Sequence, residues 1–356
     1  MKLAKTVEFL SYLRSLGVNL SAHGEQLRCN ADPGILTSTL RQEIADRKIE
    51  IIAFLHQASQ VTDSNQLLIE PVPRSGNLVL SYSQEMMWFW HQLLPDNPLY
   101  NMLISLQLEG YLNVVALEQS FNEIIRRHEN LRTTFPDREG KPIQVISRVA
   151  NINLSIVELT LLPEPEQSTK LQQLATQEAE KPFDLAKGPL LCATLVRLNP
   201  ELHILLLTMH HIIYDGWSLG KLASELFILY EAYGQGKPSP LPELPIQYAD
   251  YAHWQRQKLT AEVLEKHHGY WRQQLAGISP VSPLPTDRPR PAVQSFQGGA
   301  EKFELNQELT QKLRQLSQQS SATLFMTLLS GFFVLLHRYS GESDLVVGSA
   351  IANRNQ

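Results

Sequence analysis

The sequence predicts a layered α/β (α+β) protein behind a small helix, hairpin, helix unit. Three observations predict it. From Met102 to Gly236, short strand-like runs alternate with amphipathic helical patterns, the mark of helices packed on a sheet. One run, ELHILLLTMHH, is apolar almost throughout, as a strand covered on both faces is. A polar stretch with two prolines, ASQVTDSNQLLIEPVPRS, separates all of this from a first segment with its own hydrophobic pattern, and such a stretch reads as a linker.

In the first segment, Leu3, Val7, Leu10, Leu13 and Leu16 recur at helical spacing and stop at Gly17, a natural helix end. VNLSAHGEQLRCN alternates apolar and polar residues around His23-Gly24, the pattern of a hairpin with its turn at the glycine. LTSTLRQEIADRKIEIIAFLHQ then predicts a second helix, with Thr37 as N-cap and Leu40, Ile44, Ile51, Phe54 and Leu55 as its apolar face. These elements make residues 1–58 one unit and 59–75 the linker.

Beyond the linker, MLISLQLEG reads as a strand, VVALEQSFNEIIRRHE as a helix, and PIQVIS and NLSIVEL as further strands. A polar helix near Thr169 to Glu180 precedes the strand pattern LLCATLVRL and the apolar strand ending at the histidines. SLGKLASELFILYEAYGQG places Leu219, Leu222, Leu226, Leu229 and Tyr233 on one helical stripe that ends at Gly234. Two proline-rich connections, GKPSPLPELP and SPVSPLPTDRPRPAVQ, flank helical stretches containing DYAHWQRQKL and YWRQQLAG. A helix from about Glu308 to Tyr339 follows, its run from Leu324 to Leu336 reading as buried, and then the strand-like DLVVGSAIA. One layered lobe is expected over 76–247 and the start of a second over 248–356.

Composition narrows the function classes. With 356 residues, 43% of them hydrophobic, and a net charge of −5, the chain lacks the basic excess of a nucleic-acid or anionic-membrane binder. The run from Leu324 to Leu336 is interrupted by Thr327, Ser330 and Gly331 and falls short of the ~20 residues that span a bilayer. Glu8 and Arg14 interrupt the N-terminal apolar pattern, against a signal peptide. Only Cys29 and Cys192 are present, in separate segments, so a reduced, cytoplasmic protein without structural zinc is expected.

The stretch MHHIIYDGWS, Met209 to Ser218, concentrates the chemistry. If the apolar strand runs through it, His210 and His211 point to opposite faces and cannot share one metal; no third ligand cluster lies nearby, so no metal site is expected. GWSLG formally matches a nucleophile elbow, but the loop 212–217 separates Ser218 from the strand, whereas an elbow serine sits at the strand end. Ser218 reads more plainly as a helix N-cap. A histidine at a strand end, beside backbone N–H groups of a helix start, suits acyl transfer, and Gly216 permits close approach. The alternative is that Asp215 merely turns the chain and the histidines fall there by chance. His267-His268 serves as a control: that pair lies in a polar helical pattern without a following Asp-Gly and reads as surface.

At this point MHHIIYDGWS resembles the HHxxxDG signature of the condensation domains of nonribosomal peptide synthetases, which share the chloramphenicol-acetyltransferase-like fold. LSYSQEMMWFWHQLLPDNPLYN, RRHENLRTTF, KPFDLAKGPLL and IQYADYAHWQ match the same family in the right order, and LPTDRPRPAVQSFQG and DLVVGSAIANRN are similar to its later segments. The resemblance, from about Leu78 onward, implies two acetyltransferase-like lobes with a tunnel between them, entered by the phosphopantetheine arms of donor and acceptor carrier proteins. No cofactor binds directly. It implies amide-bond formation, with His211 deprotonating or positioning the attacking amine and His210 packed on the far face. It further implies that Asp215 is structural, salt-bridged to Arg132 with Arg127 also supporting the site, and that Gly216 keeps the loop close to the reacting centre. Met86 to Trp90 read as helical core. The segment around SQEMMWFWHQLLPDNPLYN looks most like the subtype joining two L-configured residues, with Tyr214 where that subtype commonly has serine.

Residues 7–55 are similar to N-terminal docking domains of the tubulysin-synthetase type. That resemblance implies dimerisation and capture of an upstream subunit's C-terminal tail by strand addition along the hairpin, with Arg28 and Lys48 as contacts for an acidic peptide. The condensation-domain resemblance also implies that the second lobe is incomplete. Two other functions stay open on sequence: a non-catalytic docking and assembly fragment, and a stand-alone coenzyme A-dependent acyltransferase.

Overall fold

The computed structural model describes residues 9–10, 13, 18–23, 26–30, 37–54, 68–279, 284–289, 291–292, 298–299 and 301–350. Contacts divide the chain into two units, one built on Leu67–Trp271 and one on Met1–Gln66 with Arg272–Ile351.

Near the N-terminus, β1 (Asn19–His23) and β2 (Gln26–Asn30) pair antiparallel from Asn19↔Asn30 to His23↔Gln26, leaving Gly24 and Glu25 between them. The expected turn glycine, Gly24, lies outside the described residues. Helix α1 (Ser38–Asp46) is capped by the Thr37 side chain, which accepts from Leu40 N at 3.2 Å, and 48–54 are helical again. Phe9, Leu13, Val18, Leu40, Ile44 and Ile51 form a separate buried core, joined by Leu10, Leu20 and Leu27. Phe54 is half-buried. Leu3, Val7, Leu16, Gly17, Leu55 and most of the linker lie outside the described residues.

The larger unit is a four-stranded sheet in the order β3-β10-β9-β8: β3 (Asn101–Glu109), β8 (Ser155–Glu158), β9 (Leu191–Asn199) and β10 (Leu202–His210). Strand β10 is central and antiparallel to both neighbours, while β8 joins β9 in parallel. One face of β10 (Leu205, Leu207, Met209) packs into the core with Leu117, Phe121 and Ile124 of α3 (Val114–Arg127) and Leu222, Leu226 and Leu229 of α5 (Gly216–Gly234). The other face (Ile204, Leu206) meets Leu171, Leu174 and Ala175 of α4 (Glu164–Glu180). Burial on both faces is why ELHILLLTMHH is continuously apolar rather than alternating. Helix α4 starts at Glu164, earlier than its expected start near Thr169, because Pro163 and Pro165 tolerate a first turn in which Glu164 and Glu166 favour the helix N-terminus. Between α3 and β8 lie a 3-10 turn (Glu129–Arg132) and two small ladders, β4 (Thr133–Thr134) with β7 (Val145–Ile146) and β5 (Asp137–Arg138) with β6 (Lys141–Pro142). The expected strand PIQVIS is therefore broken into two short pieces. Helix α2 (Tyr82–Leu93) begins in a capping box between Ser81 and Gln84.

Helix α6 (Tyr248–Lys258) stays with the sheet unit: buried Asp250 accepts from Val72 N at 2.8 Å and from Arg74 Nη1 at 2.6 Å, and Gln255 Oε1 accepts from Tyr82 N at 2.9 Å. Helix α7 (Ala261–Gln274) follows, with His267 and His268 exposed as the control required.

The single helix expected from Glu308 to Tyr339 is two, α8 (Gln307–Gln319) and α9 (Leu324–Ser340), bent by 105°. Ser321 takes a left-handed φ of 50°, and Thr323, extended, caps α9 by accepting from Met326 N at 3.2 Å. The run from Leu324 is helical but not buried: no residue of α9 is buried, and Phe325, Met326 and Val334 are more than half exposed. An apolar run can form a helix by local propensity, but its burial needs a second layer, and none covers α9 among the described residues. Residues 344–350 are likewise not in a strand. No single helix among the described residues is long and apolar enough to cross a membrane.

Candidate active site

The end of β10 is fixed from both sides. His210 pairs with Asn101, its N–H donates to Leu190 O at 3.0 Å, and the His211 N–H donates to Tyr100 O at 2.8 Å. The chain then turns: Ile213 N donates to His210 O at 3.1 Å, while the side chains of Ile212, Ile213 and Tyr214 enter the core. Asn130, in the 3-10 turn, donates through Nδ2 to Ile213 O at 2.6 Å. Asp215 closes the loop in an extended conformation (φ −141°, ψ 169°) as the N-cap of α5, accepting from Ser218 N at 2.9 Å and Ser218 Oγ at 2.5 Å. The cap expected at Ser218 is thus carried by Asp215. A carboxylate three residues before the N–H it meets is the better acceptor for a helix start, and Ser218 sits inside the first turn as its donor.

The two histidines differ in their surroundings: the strand ends at His210, and His211 begins the turn. His210 is 5% exposed, and its Nδ1 accepts from Ile212 N at 3.1 Å, which leaves the ring proton on Nε2. The rings of Tyr100, Phe183 and His91 stand 6.0, 6.2 and 6.5 Å away. Burial, then the neighbouring His91 and His211, push its pKa down to about 3, so His210 is neutral at pH 7 and serves as a packed turn-holder. His211 is half-buried; its Nδ1 is buried and accepts or donates no hydrogen bond.

The Arg132 guanidinium donates to Ser147 O and, at 3.3 Å, to Arg126 O, and lies 3.9 Å from Glu129. The 3-10 turn carries the side chain toward the carboxylate three residues back and the free carbonyls at the end of α3. Arg127 lies between α3 and α5. Buried at 3% exposure, it donates to Glu225 of α5 at 3.2 Å and to Pro242 O at 2.6 Å, and His128 meets the same carboxylate at 2.9 Å. Burial disfavours the Glu225 carboxylate, but hydrogen bonds from Arg127 and His128 outweigh it and hold the pKa below the ordinary value.

Gly216 needs no close approach within the described residues: its φ is not left-handed, and a Cβ there would meet no atom within 4 Å. The space beside it is open, next to a 68% exposed Trp217. Of the helix expected as core, Met87 and Trp88 pack inward, whereas Met86, Phe89 and Trp90 are exposed. Arg28 and Lys48 are exposed on β2 and on the second helical stretch of the small unit. Among the described residues no three His, Cys, Asp or Glu side chains gather as a metal site. Sequence reasoning missed Asn130, Tyr100 and Gln84. Asn130 lies inside the quoted RRHENLRTTF stretch, but nothing in its spacing distinguishes it from a surface asparagine.

Comparisons with known proteins bear on this geometry. Residues 74–356 match the Condensation domain family, and residues 7–57 match the TubC N-terminal docking domain. The chain is 45% identical over 307 residues to one of the linear gramicidin synthase subunits of Brevibacillus parabrevis, covering 86% of this chain and 4% of that protein. It therefore spans a small fraction of that relative. Among solved structures, the X-domain from teicoplanin biosynthesis superposes with a TM-score of 0.69 at 28% identity, covering 78% of this chain and 61% of the other. The EpoB cyclization-docking bidomain of Sorangium cellulosum shares the fold, with a TM-score of 0.66 at 22% identity, covering 95% of this chain and 65% of that one.

Proposed function

Because the chain belongs to the condensation-domain family and carries a TubC-type docking domain ahead of it, we propose that it is part of a nonribosomal peptide synthetase subunit that forms amide bonds between carrier-bound thioesters. The observation that carries the reading is the loop at the end of β10, where His211 follows the last strand residue, Asp215 caps α5, and the space beside Gly216 is open.

The chemistry balances without a bound cofactor. The amine of an aminoacyl thioester on the acceptor carrier attacks the donor thioester carbonyl; the C–N bond forms and the C–S bond breaks, releasing the donor's phosphopantetheine thiolate. The amine loses a proton in the process. His211, with Nδ1 buried, has Nε2 to receive or orient that proton, and the proton ends on the thiolate. His210, neutral and packed, takes no part in the transfer. Both carrier-borne arms are substrates here, so the partners are donor and acceptor carrier domains.

The docking unit supplies a second interaction. Its hairpin and exposed Arg28 and Lys48 suit capture of a short acidic tail from the preceding subunit, by strand addition with charge pairing. Substituting His211→Ala in the full-length subunit and following elongation of a carrier-bound dipeptide tests the catalytic part. A loss of about 10²–10⁴-fold is expected for removing a positioned acid–base group; elongation at the normal rate would exclude it.

A further inference from the structure

We propose that Asn130 is a positioning residue for His211, acting through the carbonyl of Ile213. The inference deepens the catalytic reading above and rests on it.

The His211 loop is held at three points. At its start, Tyr100 O fixes the His211 N–H; at its end, the Asp215 cap fixes the entry to α5. Between them the described side-chain contact to the loop backbone from outside it is Asn130 Nδ2 to Ile213 O, at 2.6 Å. Ile212, Ile213 and Tyr214 are buried, so water cannot simply replace that donor, and the carbonyl would be left unpaired.

Asn130 is itself oriented. Gln84 Nε2 donates to Asn130 Oδ1 at 3.4 Å, which selects the amide rotamer whose NH₂ faces Ile213. Gln84 is 1% exposed and locked in the capping box of α2, accepting from Ser81 N at 3.0 Å. The 3-10 turn bearing Asn130 is anchored in turn: Gln247 Oε1 accepts from Glu129 N at 3.1 Å, and Thr133 Oγ1 donates to Glu129 O at 2.7 Å. A rigid path thus runs from the start of α2 through Asn130 to the residue two places after His211. Shifts of about 1 Å in a reacting group cost on the order of 10²-fold in rate, which sets the scale of the effect.

The test uses the full-length subunit with carrier-bound substrates and compares Asn130→Ala and Asn130→Asp with a matched control, Gln144→Ala. Gln144 is also a buried amide donating to a backbone carbonyl, Val79 O at 2.6 Å, which is outside the loop. All variants are assayed at a temperature where circular dichroism shows them folded. Expected are a fall in kcat of about 10–100-fold for both Asn130 variants with the KM for the acceptor changed less than about threefold, and a kcat near wild type for Gln144→Ala. Asp cannot donate when ionised, so it should not rescue. An Asn130→Ala kcat equal to that of Gln144→Ala, or a loss confined to KM, overturns the proposal. His211→Ala assayed alongside separates the two ideas: if it retains its rate, the catalytic reading has failed; if it alone loses activity, only the positioning role has.

Discussion

His210 and His211 are neighbours in the chain and differ in chemistry because one ends a strand facing the core while the other begins the turn. The buried ring of His210, with a pKa pushed down to about 3, has a consequence for stability. Its folded pKa lies below the ordinary 6.5, so the unfolded chain binds the extra proton first. The neutral histidine's contribution is complete above about pH 6.5 and is lost as pH falls from there toward 3, by up to roughly 1.4 kcal/mol per pH unit. Urea unfolding midpoints measured between pH 7 and pH 5 should fall, and the slope should flatten in His210→Gln. Gly216 makes a different prediction at the same scale. A Cβ there meets nothing within 4 Å, so Gly216→Ala should shift stability by no more than about 0.5 kcal/mol while lowering turnover, because the open space is where substrate would pass. A large drop in melting temperature, with turnover intact per folded molecule, would contradict this.

At the level of elements, the site depends on α3 and α5 staying in register beneath the loop. Arg127 and Glu225 link them, with backbone carbonyls of Leu241 and Pro242 completing the guanidinium's partners. Removing Arg127 takes one donor from the Glu225 carboxylate, leaving His128 on it at 2.9 Å, and frees two backbone carbonyls, a loss on the order of 1–3 kcal/mol. Arg127→Ala should therefore lower the urea stability of the sheet unit by that order, whereas Arg126→Ala, at an exposed pair with Glu123, should cost less than about 1 kcal/mol. Equal losses from the two would remove the clamp from the account. The bend between α8 and α9 belongs to this scale as well. The run of apolar residues after Leu324 continues the helical pattern, so periodicity joins the two helices. What breaks them is local: the left-handed Ser321 and the Thr323 side chain capping a new helix.

Across the whole molecule, two hydrophobic cores do separate jobs. The small core of Phe9, Leu13, Val18, Leu40, Ile44 and Ile51 supports the hairpin that carries the exposed Arg28, and the larger one supports the loop that carries His211. Charge reversal of both Arg28 and Lys48 to Glu should weaken binding of an acidic upstream tail about tenfold or more at low salt, and the difference should shrink as salt rises, because exposed charges are screened beyond about 10 Å at 0.1 M. Calorimetric titration with a tail peptide measures it; unchanged affinity would confine docking to backbone pairing. By itself the sequence determined the alternation of strands and helices around the sheet, the double burial of β10 and the family, because these follow from periodicities and motifs read along one strand or helix. Tertiary structure decided which distant residues meet around the loop. Asn130 reaches Ile213, Arg127 reaches Glu225, and Arg132 reaches Ser147 O, all across separations in sequence that carry no periodic signal. Side-chain reach depends on where two distant backbones meet, and that is set by the packing of α3 and α5 on the sheet rather than by any spacing in the chain.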